Sequence, residues 1–232
     1  EGRGFCTIKQ GNANLQPRRS TNIDLAWDLY FNGNNGLVSI ALFDKVIKDD
    51  IYTLTTFENV GDTRYRVTQP MNTDESTLRG VEFAVANRNL QWGRQRFDMY
   101  FNATRLEGQT NYRISDGTER RLDRLLYQPD WSLNGSVIWR MPWKSAQLRL
   151  SGTYRSRMLV DFGDTQWLDS YYDPYMTFNM GFSHKVSKHV TLKYEAKNLF
   201  NTQPTYSTGP NGRFRTEIDD YGRFFYFHII YN

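Results

Sequence analysis

The sequence predicts an all-β chain, a transmembrane antiparallel β-barrel wall of about nine strands. Three observations carry this. Apolar and polar residues alternate with a period of two in one segment after another, and short and long connections between those segments alternate in turn. Aromatic residues also make up 16% of the chain, with 15 Tyr, 15 Phe and 6 Trp. A strand sends successive side chains to opposite faces, so this alternation gives one greasy face and one polar face. Taken singly, such a strand fits a half-buried soluble sheet as well as a barrel with lipid outside and water inside.

The first strand runs from about Ser20 to Phe31 and sets Ile23, Leu25, Trp27, Leu29 and Phe31 against Asn22, Asp24, Ala26, Asp28 and Tyr30. Asn32-Gly33-Asn34-Asn35-Gly36 is a short turn of residues that tolerate positive φ. The second strand spans Leu37 to Lys48, and a long polar stretch follows to Ser76. The third, Leu78 to Ala86, meets the fourth, Gln95 to Leu106, through a short Asn87–Gly93 turn. A second long polar stretch, Glu107 to Pro129, leads to the fifth strand, Trp131 to Met141. Pro142-Trp143-Lys144 turns the chain into the sixth, Ala146 to Arg155. A loop from Met158 to Asp173 precedes the seventh, where Met176, Phe178, Met180 and Phe182 share a face. Lys185–Lys188 is a short turn into the eighth, Val190 to Lys197. Asn201 to Asp220 is the last long loop, and Tyr221 to Tyr231 the ninth strand.

Composition narrows the classes. The hydrophobic fraction is 39% and no run approaches the length of an apolar membrane helix, so a spanning helix is excluded and a spanning barrel is not. The net charge of +4 is spread among acids, without a basic stripe interleaved with aromatics, so nucleic acid is not an expected partner. Cys6 is the lone cysteine, which rules out a disulfide within the chain. The chain starts at Glu1 with neither Met nor a signal peptide, and is expected to be a mature or partial chain.

The connections decide between sandwich and barrel. Outer-membrane barrels have short periplasmic turns and long extracellular loops, whereas a Greek-key sandwich has no reason to segregate loop lengths. Trp131 and Trp139 share a face across about 27 Å of strand. Tilted by about 45°, that span matches an apolar band flanked by aromatic girdles. The turns at 32–36, 87–93, 141–144 and 185–188 then face the periplasm, and the chain begins outside. Whole bacterial barrels have an even strand count, so nine strands point to the C-terminal part of something larger.

At this point the residues resemble a known family. Gly11-Asn12-Ala13-Asn14-Leu15-Gln16-Pro17, then Ser20-Thr21-Asn22-Ile23-Asp24-Leu25 and Tyr30-Phe31, resemble a signature of TonB-dependent outer-membrane receptors. Ala41–Ile47, Gly80-Val81-Glu82, Asn198-Leu199-Phe200-Asn201 and Tyr221-Gly222-Arg223 match later motifs of that family in order and spacing. Ala13 stands where the family usually has Pro. The resemblance implies a 22-stranded barrel filled by an N-terminal plug and driven by the TonB complex, with residues 1–232 supplying its C-terminal strands. It implies the outer membrane of a Gram-negative bacterium, contact with outer-membrane lipids, the receptor's own plug domain and, in some members, a surface lipoprotein. The motif wording is similar to a proteobacterial glycan-uptake subgroup, so a glycan is favoured over a siderophore or cobalamin. Barrels of this kind usually end on an aromatic residue, so one more aromatic is expected beyond Asn232.

No nucleophile–base set stands out, so the chain is not expected to be an enzyme. No cofactor is expected, and His184, His189 and His228 do not suggest a metal site. Arg149, Arg155, Arg157, Lys193, Glu195 and Lys197 fall on the polar face and are expected to line the lumen. Trp167, Tyr171 and Tyr172, among Asp164, Gln166 and Asp169, are the ligand candidates of the extracellular loops, with Tyr65 a further one. Rings beside polar groups suit sugar faces or aromatic chelators. Tyr171, Tyr172 and Tyr175 equally suit an outer aromatic girdle. The expected function is TonB-dependent import of a scarce large solute; a passive porin and a secreted β-sandwich lectin are the alternatives.

Overall fold

The computed structural model describes residues 6–142 and 145–231. In chain order its strands are β1 (Cys6–Lys9), β2 (Arg19–Phe31), β3 (Gly36–Lys48), β4 (Ile51–Val60), β5 (Thr63–Asn72) and β6 (Glu75–Trp92). Next come β7 (Gln95–Arg113), β8 (Glu119–Leu122), β9 (Trp131–Arg140), β10 (Ala146–Arg155), β11 (Met158–Asp161) and β12 (Ser170–Tyr172). The last are β13 (Tyr175–Lys185), β14 (Val190–Lys197), β15 (Thr205–Thr208), β16 (Phe214–Ile218) and β17 (Phe224–Tyr231). Nine of these form one antiparallel wall in the order β2-β3-β6-β7-β9-β10-β13-β14-β17, with β8 paired onto the far end of β7. Every neighbour in the wall is a neighbour in the order of the nine expected strands.

Register explains why the wall forms. Directly opposed residues of an antiparallel pair lie on one face. One row crosses seven strands as Trp27, Ile40, Phe83, Ala103, Leu133, Tyr154 and Met176. The adjacent row, one residue along, reads Asp28, Ser39, Ala84, Asn102, Asn134, Thr153 and Thr177. A slip of one residue in any pair would put Asn102 or Asn134 among the apolar side chains, so alternation fixes register. Among the described residues nothing covers the apolar face: Ile23 is 73% exposed and Phe225 72%. A continuous uncovered apolar sheet face is stable against lipid and not against water. β2 and β17 are the two edges and do not pair with each other, so the wall is an open portion of a barrel.

The lipid face ends where its residues become charged. Towards the long loops, Arg79 Nε meets Asp44 Oδ2 at 2.8 Å, and the Arg105 guanidinium lies 5.3 Å from the Trp131 ring. Near the short turns, Trp139 stacks on Phe97 at 6.5 Å and its Nε1 donates to Gln95 Oε1 at 2.6 Å. The two Trp therefore sit at opposite ends of the apolar band.

Several expected boundaries move. Asn87–Gly93 is not a turn. β6 runs on to Trp92 through a bulge between Asn87 and Leu90, and the hairpin tip is at Gly93-Arg94. Asn89 takes φ 60° within the bulge and donates its backbone N–H to Asp98 Oδ1 at 2.9 Å. Polar residues there signal a bulge and not the strand's end. β17 starts at Phe224, three residues later than expected, because pairing with β14 begins only there and Gly222 takes φ 71°, off the strand conformation. The Pro142-Trp143-Lys144 turn falls partly on Trp143 and Lys144, outside the described residues, as does Asn232.

The larger correction concerns the long polar connections, which are themselves built from strands. β4 and β5 form a ten-residue-paired hairpin that β1 joins in parallel. β7 continues to Arg113 and folds back as β8. β11, β12, β15 and β16 make a four-stranded sheet from two separate loops. The signature segment docks on this layer: Asn12 Nδ2 donates to Pro70 O at 3.0 Å, and Gln16 exchanges hydrogen bonds with the Asn72 amide at 2.8 and 2.9 Å.

Two motifs acquire physical reasons. Gly80 faces Phe43 across the sheet, and a Cβ there would lie 2.2 Å from the Phe43 ring, so glycine lets the ring lie over the strand and any side chain would displace it. Asn198 takes φ 54° at the end of β14. Its Nδ2 donates to Thr202 O at 3.0 Å and to Gly222 O at 2.9 Å, while its Oδ1 accepts from Thr202 N at 2.8 Å. One side chain thus ties the Asn198–Asn201 motif to the Tyr221–Arg223 motif.

Candidate functional site

The layer above the wall has the core that the wall lacks. Tyr52, Tyr112, Leu122 and Leu159 are buried together, with Met71, Leu126, Phe162 and Tyr171 packed against them. Tyr112 stacks on Phe162 at 4.3 Å and meets Tyr52 edge-on at 5.0 Å. The Tyr52 hydroxyl donates to Arg113 O at 3.2 Å and accepts from Arg113 N at 3.0 Å. Burial pushes the phenols of Tyr52, Tyr112 and Tyr171 above the usual tyrosine value.

A bidentate ion pair joins two loops beside this core. Arg120 on β8 meets both Asp169 oxygens, at 2.6 and 2.7 Å, and donates to Gly163 O at 2.8 Å. The Asp169 side chain is 3% exposed. Its hydrogen bond holds the guanidinium pKa above the ordinary arginine value. Paired and hydrogen-bonded in this way, a buried carboxylate is tolerated; alone it is not.

The second candidate face lies on the other side of the four-stranded loop sheet. Met158, Tyr172, Tyr206 and Glu217 occupy one row across β11, β12, β15 and β16. Arg155, at the end of β10, lies with its guanidinium 4.0 Å from the Tyr172 ring centroid. Tyr172 is met edge-on by Tyr206 at 4.8 Å and by Tyr175 at 6.2 Å. Tyr172 and Tyr206 also line a cavity of about 630 Å³, along with Tyr52, Tyr127, Met158 and Asp161. Burial raises the Tyr172 phenol pKa and the Arg155 charge opposes the rise. Burial raises Tyr206 too, aided by Tyr172, Asp219 and Glu217. Both rings stay neutral and offer faces beside a cation.

The expected site residues separate. Tyr172 and Arg155 come together, although one was expected in a loop and the other in the lumen. Tyr171, next in sequence, faces the opposite way: it packs on the buried core, with its hydroxyl 3.4 Å from Asp169 Oδ2. Trp167 sits in a single 3-10 turn, half-exposed, with Arg213 5.9 Å from its ring. Tyr65 lies on β5 between Glu58 and Cys6, apart from the cavity-lining residues.

On the polar face of the wall, Arg149 and Glu195 flank Gly181 from either side, and Lys193 stands opposite Ser183 and His228. Lys197 reaches over the Tyr226 ring at 5.1 Å. Arg157 is a correction. It lies two residues beyond β10, where the strand alternation no longer governs it, and its Nε pairs with Asp173 Oδ1 at 3.1 Å in the loop layer. Sequence reasoning missed Arg120 and Tyr206, and named Asp169 only as a polar neighbour of the loop rings. Arg120 and Asp169 are 49 residues apart with no local pattern linking them; Tyr206 lay in a stretch taken for loop. Among the described residues no three His, Cys, Asp or Glu converge as a metal site.

The family profile described as "TonB dependent receptor-like, beta-barrel" matches residues 2–199. The chain belongs to the TonB-dependent receptors. That membership places it in the outer membrane of a Gram-negative cell. No match was found among curated proteins. Among solved structures, the FrpB iron transporter from Neisseria meningitidis superposes with a TM-score of 0.61 at 14% identity, over 99% of this chain and 32% of that one. The ferric-catecholate import receptor Fiu from E. coli K12 gives 0.63 at 13% identity, over 95% and 29%. The outer-membrane transporter YddB from Escherichia coli gives 0.65 at 10% identity, over 99% and 34%. Identities this low speak for the fold alone. The chain spans about a third of the length of these receptors.

Proposed function

We propose that the chain is the C-terminal part of an active importer that carries a scarce, large solute across the outer membrane. The supporting observation is the combination of a lipid-facing wall with a structured layer at the end that carries the long connections. A passive porin needs only the wall. Here β4, β5, β8, β11, β12, β15 and β16 build a second storey with its own core, which suits capture of a solute and not free diffusion. A soluble lectin is disfavoured by the continuous uncovered apolar face.

In this reading a plug domain fills the full barrel and couples to the TonB complex. Arg149, Lys193, Glu195 and Lys197 face that plug across a wet lumen, and a surface lipoprotein is an optional partner at the loop layer. Charges of both signs suit plug contacts better than a single-sign selectivity filter. A glycan is the favoured cargo, because the layer's rings stand beside single polar groups. The neighbours Fiu and FrpB are named for ferric-catecholate and iron import, which keeps a siderophore as the second reading. The test is accumulation of oligosaccharides and ferric siderophores in cells carrying the full-length receptor. One solute is expected to accumulate, and to stop doing so on deletion of TonB or addition of a protonophore. Accumulation that persists without TonB would identify a porin.

A further inference from the structure

Among the described residues Arg155 has no carboxylate partner, and its Nε is shielded from solvent with no hydrogen-bond partner. Its neighbour Arg157 is already neutralised by Asp173 at 3.1 Å, and the Asp173 carboxylate also takes Ser207 Oγ at 2.7 Å and Thr205 Oγ1 at 3.0 Å. The Tyr172 hydroxyl is a neutral partner for Arg155, so the charge and the Nε–H still lack the carboxylate that Arg157 has. That lack is costly unless something else supplies the acceptor. Tyr172 lies under Arg155, Tyr206 and Tyr175 meet Tyr172 edge-on, and Tyr172 and Tyr206 in turn line a cavity of about 630 Å³, with Arg155 at its margin behind Tyr172. Such a volume lies within the range of small-ligand sites, about 300–1,000 Å³.

Resting on the import reading above, we infer that Arg155, Tyr172 and Tyr206 form a subsite for a carboxylated sugar, a uronate ring of an acidic oligosaccharide. Three features select this class. A guanidinium presents paired N–H donors that match one carboxylate. Neutral tyrosine rings offer flat apolar faces to a sugar's C–H face and hydroxyls to its rim. The charge count sets the limit: Asp161 lines the cavity, and Glu217 and Asp219 act on Tyr206. The Arg155 fork matches one carboxylate, while the acids around the rings oppose further negative charge and so disfavour a multiply charged anion such as a ferric tris-catecholate.

The experiment uses the full-length receptor in detergent and titration calorimetry with three probes: an oligogalacturonide, its methyl ester, and a ferric tris-catecholate. The oligogalacturonide is expected to bind at least tenfold tighter than either of the others. Arg155→Gln should remove that preference and Arg155→Lys should keep part of it, since ammonium retains the charge without the fork. Heat-modifiable migration of each variant reports that the barrel is intact. Should Arg155→Gln fail to fold, the acid-against-ester comparison on the unaltered receptor still decides. Equal binding of acid and ester, tighter binding of the ferric complex, or an Arg155→Gln receptor that retains its preference would each overturn the subsite. Binding needs no TonB, so loss of the subsite leaves energised uptake of another solute standing. Conversely, uronate binding without TonB-dependent uptake would defeat the import reading alone.

Discussion

In the wall, Ile23, Leu25, Phe225 and Ile229 point outward and none of the described residues covers them. In the layer above, Leu159, Tyr112 and Tyr52 are buried against one another. Both regions are antiparallel strands, yet they solve the burial problem in opposite ways. The wall borrows its apolar partner from the membrane, so its inner face stays free for water and charge. The loop layer has no such partner. It builds an aromatic core and fastens it with Arg120–Asp169, a pair whose two halves come from different loops. The lesson is that loop length here measures the size of a second structural unit and not flexibility. The two storeys should therefore fail separately.

The largest effect is expected in the wall. Val137→Arg places a charge between Met99 and Leu150 on the lipid face and is expected to cost about 2–4 kcal/mol. Ser136→Arg, one residue along on the polar face, should cost far less. Folding yields into lipid vesicles read the difference, and equal losses would refute the assignment of faces. In the loop layer, Asp169→Ala takes the buried carboxylate from the partly exposed Arg120 and from the Gly163 backbone N–H. The expected loss is about 2–3 kcal/mol, below that of a fully buried pair because the guanidinium can still reach water. Proteolysis should then cut between β7 and β12 while the barrel keeps its heat-modifiable migration. If migration is lost as well, the two storeys are one cooperative unit.

Asn198→Ala sits between the two regions. It removes three hydrogen bonds that join the end of β14 to Thr202 and Gly222, at a cost of about 1–3 kcal/mol. Chemical denaturation of the full receptor measures it, and Asn198→Gly should not rescue, since the side chain and not the positive φ supplies the bonds. The smallest effect is alkaline. Burial raises the phenols of Tyr52, Tyr112 and Tyr171, so the folded layer keeps protons that the unfolded chain releases above about pH 10. Loop-layer stability should be level below that pH and fall as pH rises through the raised values. Phenolate absorbance against protease sensitivity would show both together, and loosening that precedes phenol ionisation would contradict the assignment.

Legibility follows the same division. The nine wall strands could be read because lipid on one side and water on the other impose a period of two on every one of them. The faces of Trp131–Trp139 or Met176–Phe182 then follow from counting. β4 and β5 carry no such stamp: Thr53, Thr55 and Thr56 alternate with little contrast, so the hairpin reads as a polar loop. The β6 bulge was hidden because Arg88 and Asn89 look like turn residues, and only pairing of Leu90 with Phe97 reveals that the strand resumes. Tyr171 and Tyr172 illustrate the limit most clearly. Adjacent in sequence and alike in chemistry, they take opposite faces of β12, one towards the core and one towards Arg155.

By itself the sequence determined the wall: strand number, order, faces, the side bearing the long connections, and the family. Each follows from local alternation or an ordered motif, which neighbouring residues encode together. Tertiary structure alone decided the layer above. Asp169 reaching Arg120 and Tyr206 meeting Tyr172 join segments 34–49 residues apart, through contacts that leave no periodic trace in either partner.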